Sequence, residues 1–437
     1  MNLKYTLYFF LLLVGQNLFA QSFDASGELD LKGLASTGDR LPFWMYSNQR
    51  GRVYEETNVS SRFAGKLVYL DDFKDLYLEA GAGILFLDGT SKNVVADEIY
   101  GRFQSYLIQI TLGRKQRPAL YNGLSATNEN ILRSLNTRPL PGLQLNTNGI
   151  IFPFSYQKGL GFEASWEEYI MENERYMQEA RLHHKGFRLV YRFAEDSQVK
   201  LGFQHFAQWG GTNPEGNQPV LTRKYSDAIS IKHPSQHHLT SYEVNIARNF
   251  RDFKLELIYN HIATDQSGRR FGNTPDGRYG IFYKTHDPDQ IINSAIYEFY
   301  YTQHQSYDRG GWVDNYFNHF IYRSGWSYLD RVIGTPFFTY DPEADKIINN
   351  KFTSHHVGIG GQFSTYFKSY PYRLLFSFSK NDGIYERRYR PKQNIFSGYF
   401  DMRVLHDFIN INLELGTEFN NTASPIFGAG VNVNYKF

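Results

Sequence analysis

The sequence predicts an all-β protein, a transmembrane antiparallel β-barrel of about eighteen strands with a short plug of helix and loop in its lumen. Three observations carry that prediction. The chain opens on an export signal, its body alternates apolar and polar residues over many short segments, and its last strand ends on an aromatic residue.

The opening residues come first in the argument. Lys4 supplies a short positive region, and Tyr5 to Val14 is an apolar run too short to span a bilayer. Leu18-Phe19-Ala20 before Gln21 places a small residue at the expected cut, so residues 1–20 are read as a secretory signal peptide. Residues 21–437 then form one barrel domain. No Cys follows the apolar run, which argues against a lipid anchor, and no later apolar run approaches ~18 residues. Any membrane crossing must therefore use strands. With no Cys at all, an exported chain of 437 residues cannot rely on disulfides, so burial or insertion must hold it. The net charge of +2 points away from nucleic acid as a partner. A secreted soluble β protein is the competing class, and the chain's end argues against it.

That end alternates. Val431, Val433, Tyr435 and Phe437 are apolar, while Asn432, Asn434 and Lys436 lie between them. In a strand the two sets face opposite sides. A lipid-facing apolar set with a polar lumen set is the outer-membrane pattern. The closing aromatic resembles the signal read by barrel-assembly machinery, so Val433, Tyr435 and Phe437 are assigned as an assembly signal. Together these features place the chain in the outer membrane of a Gram-negative bacterium, among lipid and lipopolysaccharide.

Alternation recurs at Arg62–Leu70, Leu76–Leu87, Glu98–Leu112, Gly186–Phe193 and Val199–Trp209. It continues at Thr240–Asn249, Phe253–Ile262, Ala295–Tyr301, Phe352–Phe367, Tyr372–Lys380, Tyr399–Leu405 and Ile409–Phe419. Weaker candidates at 22–36, 146–155, 160–168, 279–284 and 317–324, with the final strand, bring the count to about eighteen. Short links near 71–74, 251–252, 368–370 and 407–408 should all be periplasmic. This strand order satisfies them only if the chain changes side twice without a barrel strand, at 114–145 and 327–351. Either those stretches fold into the lumen as a plug, or a strand is miscounted in each. In the first, Ser125 to Glu129 reads as a helix start, with Ile131, Leu132 and Leu135 at helical spacing before Pro139 and Pro141.

No catalytic motif is present: there is no nucleophile elbow, phosphate loop or His-Glu-x-x-His, and the reading is not an enzyme. Gly358-Ile-Gly360-Gly361 reads as close packing against the lumen or a bulge. His183–His184, His237–His238 and His355–His356 are adjacent pairs whose members point to opposite faces, so no pair chelates one ion. No metal or cofactor is expected.

Most of the 33 Tyr and 5 Trp belong to interfacial girdles. Trp44, Trp209 and Trp312 sit near loop junctions and suit stacking on sugar faces. The sharper feature is a predicted extracellular loop containing Tyr385, Arg387, Arg388, Tyr389, Arg390 and Lys392. Its arginine forks match the acid groups of an anionic polysaccharide, and equally the phosphates of lipopolysaccharide. Arg269 and Arg270 form a lesser case of the same kind.

Several stretches resemble the Wzi family of capsule assembly proteins, in its Bacteroidetes-like branch: "SLNTRPLPGLQL" at 134–145, "LHHKGF" at 182–187, "GFQHFAQWGG" at 202–211 and "DNYFNHFIYRSGWSYLDRVIGTPF" at 314–337. The resemblance implies an outer-membrane barrel, closed by helices and loops, that tethers capsular polysaccharide or exopolysaccharide. It brings no catalytic set. The expectation is a monomeric, lectin-like barrel that anchors or assembles surface polysaccharide. The rivals are an open porin or sugar channel and, with nothing pointing to it, a barrel lipase or deacylase.

Overall fold

The computed structural model describes residues 22–437 apart from 72–74, 156, 213–235, 265, 307–312, 367 and 407. Residues 1–20, expected to be a signal peptide, and Trp312 lie outside the described residues. Eighteen antiparallel strands form one closed sheet. In chain order they are β1 (22–36), β2 (59–71), β3 (76–87), β4 (94–104), β5 (108–114), β6 (142–147), β7 (159–170), β8 (181–194) and β9 (197–209). The rest are β10 (237–249), β11 (253–261), β12 (277–285), β13 (294–301), β14 (352–364), β15 (369–383), β16 (388–406), β17 (409–420) and β18 (423–436). This is the fold of outer-membrane barrels.

Closure joins the ends of the chain. Leu29 pairs with Tyr435 and Leu31 with Val433, and the Gly27 and Phe437 backbones exchange hydrogen bonds of 2.6 and 3.0 Å. The faces follow the alternation: Val431 and Tyr435 are 43% and 40% exposed on the outside, whereas Asn432 and Asn434 are 8% and 9% exposed. Inside, Asn432 and Asn434 donate to Asp30 at 3.0 and 3.1 Å. Outward Leu, Ile, Phe and Tyr make an apolar band that only lipid can cover at low cost.

The links after β2, β10, β14 and β16, which the sequence marked as short, all fall at one end, so side changes are not needed. Two strand assignments differ from expectation and cancel. Residues 98–112 contain two strands, because Ser105-Tyr106-Leu107 makes a tight turn in which the Ser105 N–H donates to the Ile108 carbonyl. Residues 317–324 form no strand: Phe317 and Tyr322 are buried inside the lumen instead. The expected strand at 146–155 is β6, shifted to 142–147, followed by a link.

The long-link end of the lumen is filled. Segments 37–58, 115–141 and the described parts of 302–351 turn inward and bury Trp44, Met45, Ile131, Leu132, Phe317, Trp326 and Phe338 in one apolar core. The Trp326 indole donates to the Leu132 carbonyl at 2.6 Å, and its ring meets wall residue Phe206 edge-on at 5.3 Å. Gly358 lets the plug approach the wall, since a Cβ there would lie 2.5 Å from the Leu124 carbonyl oxygen.

The expected helix from Ser125 is absent. The Ser125 hydroxyl does accept from the Thr127 and Asn128 N–H groups, at 3.1 and 2.9 Å, as an N-cap would. Asn128 then adopts φ +67°, which ends helical propagation at once. The Glu298 carboxylate from β13 takes the Ala126 N–H at 2.7 Å and the Ser125 hydroxyl at 2.8 Å. Wall contacts thus override local helix preference. Among the described residues the short helices are 43–46 and 266–269, with one 3-10 turn at 121–123.

Candidate functional site

At the long-link end a cleft of about 270 Å³ lies between the plug and the wall formed by β15, β16 and β17. Its wall is polar because inward positions near the strand ends carry Asn381, Gln393, Glu418 and Asn420. Asn381 and Gln393 are direct partners across β15 and β16. Glu418 is committed to structure: Arg40 forms a two-pronged pair with it, one prong at 3.1 Å, and the Phe43 N–H donates to it at 3.1 Å. That bond set holds the 37–58 segment over the lumen.

The plug side supplies aromatic and cationic groups. Arg331 lies over the rings of Tyr54 and Tyr46, at 4.6 and 5.3 Å, and donates to the Val53 carbonyl at 2.7 Å. Tyr340 donates to Asp345 at 2.6 Å. Burial, with Glu55 close by, pushes the Tyr46 phenol well above its usual range, so it stays a neutral donor. Burial also raises the Asp330 carboxyl, reinforced by Asp345 and Glu174. Amides, neutral phenols and ring faces in one cleft suit a hydroxyl-rich ligand.

The arginine-rich segment adjoins this cleft, but as a tight hairpin. Residues 384–387 are the link, and β16 already begins at Arg388. Gly383 takes φ +79° with a Cβ position 2.3 Å from the Arg387 carbonyl, so the turn requires glycine. Arg388 pairs with Asp382, and Lys392 reaches the same carboxylate at 3.3 Å. The Tyr389 hydroxyl donates to the Ile348 carbonyl at 3.3 Å, tying the hairpin to the plug. Tyr385, Arg387 and Arg390 are exposed, and neither arginine has an ion pair among the described residues. Half of the predicted set therefore projects and half folds back.

The remaining predicted residues are elsewhere. Trp209 ends β9, six strands from β15, where Arg181 packs over its ring at 5.6 Å. Arg269 and Arg270 lie between β11 and β12, and the Tyr242 hydroxyl donates to the Arg269 carbonyl at 3.2 Å. Neither group joins the hairpin. Trp44 is buried, donating to Ser377 at 3.1 Å inside the barrel. The cleft residues themselves went unrecognised in the sequence. Their one signal was polar side chains at inward positions just before a short link, in β15, β16 and β17.

The histidine pairs split across the wall. His184 faces in to Glu167 at 2.8 Å, His237 in to Gln208 at 2.9 Å, and His356 in to Ser377 at 2.8 Å. Outside, His238 meets His205 at 3.0 Å and His355 meets the Tyr297 hydroxyl at 2.8 Å.

No family model matches the sequence, and no curated protein matches it. Solved structures do resemble the fold. One is Wzi of Escherichia coli, described as an outer-membrane protein involved in group 1 capsule assembly and a carbohydrate-binding β-barrel; it shares 12% identity over 98% of this chain and 87% of that one, with a TM-score of 0.62. OccAB4 of Acinetobacter baumannii aligns at 10% identity over 96% and 100%, TM-score 0.52. OccK3 of Pseudomonas aeruginosa aligns at 10% over 97% and 99%, TM-score 0.51. At these identities the likeness is one of fold.

Proposed function

We propose that the chain is a non-enzymatic, lectin-like barrel of the Gram-negative outer membrane that anchors or assembles capsular or other surface polysaccharide, and that it works as a monomer. The observation that carries this reading is the cleft at the extracellular end, floored by a packed plug and bordered by the Tyr385–Arg390 hairpin. A barrel whose lumen is filled by an apolar core is built to hold a ligand at its mouth, because a packed core leaves no water path of solute size. The carbohydrate binding described for Wzi, whose fold this chain shares, supports the same reading.

Arg387 and Arg390 are the groups free to meet an acid group on the glycan, with Tyr385 as a stacking face. The same arginines suit lipopolysaccharide phosphate, so the test removes that competitor. The purified barrel, in detergent without lipopolysaccharide, is titrated with the host's own capsule. R387Q/R390Q should weaken binding mainly at low salt, since screening acts over ~8 Å at physiological strength. Tyr385→Ala should weaken it at low and high salt alike. If a folded barrel binds capsule equally well with both changes, the hairpin is not the site. The rival porin reading predicts large, steady conductance of the intact protein in a planar bilayer; the plug predicts little.

A further inference from the structure

The short-turn end of the lumen is built differently from the cleft. Beneath the plug lies the larger cavity, about 500 Å³, lined by the inner faces of β9 to β12. Asp196, Lys284 and His286 line it at the short-turn side, which places its mouth on the periplasm in barrels of this class. Its ceiling is Leu120, Tyr121 and Asn122 of the plug.

Most charges around it are already committed. Arg188 pairs with Glu129 and Glu243, each at 2.7 Å, and Lys200 with Glu163 at 3.2 Å. Glu256 accepts from the Tyr121 hydroxyl at 2.9 Å and from the Asn245 amide at 2.6 Å. Lys254 and Lys284 stand apart from this pattern. They are direct partners across β11 and β12, they line the same cavity, and neither has an ion pair among the described residues. Like charges directly opposite in a sheet destabilise it. Asp196 lines the same mouth, and Glu256, two residues along the same face from Lys254, is held by Tyr121 and Asn245, so the lysine pair keeps part of its positive potential for something that enters.

Further in, the surface changes character. The Tyr121 ring meets Phe282 edge-on at 5.1 Å, giving an aromatic corner against the ceiling. Glu256 is the inward residue between the ring and Lys254, Gln198 lies on the β9 wall, and Asn245 and Asn260 lie beyond the level of the ring. A cationic mouth and an aromatic ceiling, with amides alongside, share a single cavity, and that combination fits an acid-bearing sugar chain better than a bare ion.

We propose that this cavity is a second binding site, open to the periplasm, for a short anionic oligosaccharide, with its acid group between Lys254 and Lys284 and a sugar ring under Tyr121. The site is separate from the extracellular cleft and independent of the function proposed for it. Phosphate- and carboxylate-bearing glycans share the chemistry the lysines would recognise.

The test titrates the purified barrel in detergent at low salt with trigalacturonate as the probe, with maltotriose and inorganic phosphate in parallel. Wild type should bind trigalacturonate more tightly than either control. K254Q/K284Q should weaken that binding about tenfold, as loss of two charge-assisted contacts implies, and Tyr121→Leu should weaken it while leaving the phosphate result unchanged. Gel heat-modifiability confirms that each variant is folded. R387Q/R390Q should leave the lysine-dependent component intact, so failure of the hairpin site and failure of this one are read separately. Absence of trigalacturonate binding in wild type, equal affinity in the lysine variant, or phosphate binding as tightly as the trimer would each overturn the proposal.

Discussion

The two halves of this lumen solve opposite problems with the same wall. At the extracellular half, inward residues such as Phe206, Tyr300 and His356 meet an apolar plug, and the interior resembles the core of a soluble domain. At the periplasmic half, inward residues are Arg, Lys, Glu and Asn, joined in ladders such as Lys200 with Glu163, or Arg102 and Lys115 with Glu79. The upper half is stabilised by dry packing, which is non-directional and tolerant of pH and salt. The lower half is held by ion pairs in contact with water, which are neither. Dry packing and ion pairing are thus divided along the barrel axis, and the ways to break that division can be ranked.

The largest effects should come where the halves meet. Arg278 and Glu298 are wholly buried and joined at 2.6 Å, and Glu298 also holds the plug through Ser125 and Ala126. Glu298→Ala leaves a buried guanidinium uncompensated, at a cost of about 3–5 kcal/mol. Trp326→Ala removes a buried indole between plug and wall and should cost about 3–5 kcal/mol. Both should release the plug while the barrel persists, giving new proteolytic cuts within 115–141 or 313–351 and a rise in conductance. Unchanged proteolysis and conductance in both variants would mean that the plug is not anchored there.

A middle-sized effect tests the wall. Val433→Arg puts a charge on the lipid side and should cost ~2–4 kcal/mol near the midplane, less near the interface. Asn434→Arg, facing Glu28 and Asp30, should cost little. Equal losses in urea unfolding would show the register to be wrong. Deleting Phe437 removes the backbone bonds to Gly27 and the proposed assembly signal, so the folded, heat-modifiable band should fall.

The wall was legible in the sequence because alternation and burial share one period: β2, β3, β9 and β17 lie where the pattern put them. The turn after β4 was not, since Ser105-Tyr106-Leu107 carries neither Gly nor Pro and sits between two stretches that alternate alike. Phe317 to Tyr322 misled in the other direction, as an apolar run that packs in the plug reads like one that faces lipid. The clash in link parity was the physical trace of both errors. The plug, the other reading of that clash, shows instead in the burial of the inward segments. The third inward segment, 37–58, left no such trace, because it joins strands on the expected sides. The hairpin at 385–392 was visible as local composition. The cleft beside it was not, because Arg40, Arg331, Asn381 and Glu418 converge only when the sheet closes.

The smallest effect distinguishes the halves by pH. Glu129 sits on the plug's lower face between Arg117 at 2.8 Å and Arg188 at 2.7 Å. Burial would raise its carboxyl, but those two guanidiniums outweigh it and hold the group below the usual range. A carboxyl lowered in the folded state contributes stability that is fully present above its ordinary value, about 4.3. That contribution is lost as pH falls through the lowered folded value. Acid should therefore loosen the periplasmic face of the plug before the apolar half responds. Hydrogen exchange at pH 7 and at about pH 3, each rate taken relative to the intrinsic rate at that pH, should show lower protection around 117–129 in acid, with protection at 326–338 unchanged. Glu129→Gln should reproduce the loosening at pH 7 and remove most of its pH dependence. The neighbouring ladders titrate in the same direction, so the variant and not the acid shift alone assigns the effect. Equal loss of protection in both segments on acidification would mean that the plug opens as one body, and that the division between the two halves is one of composition only.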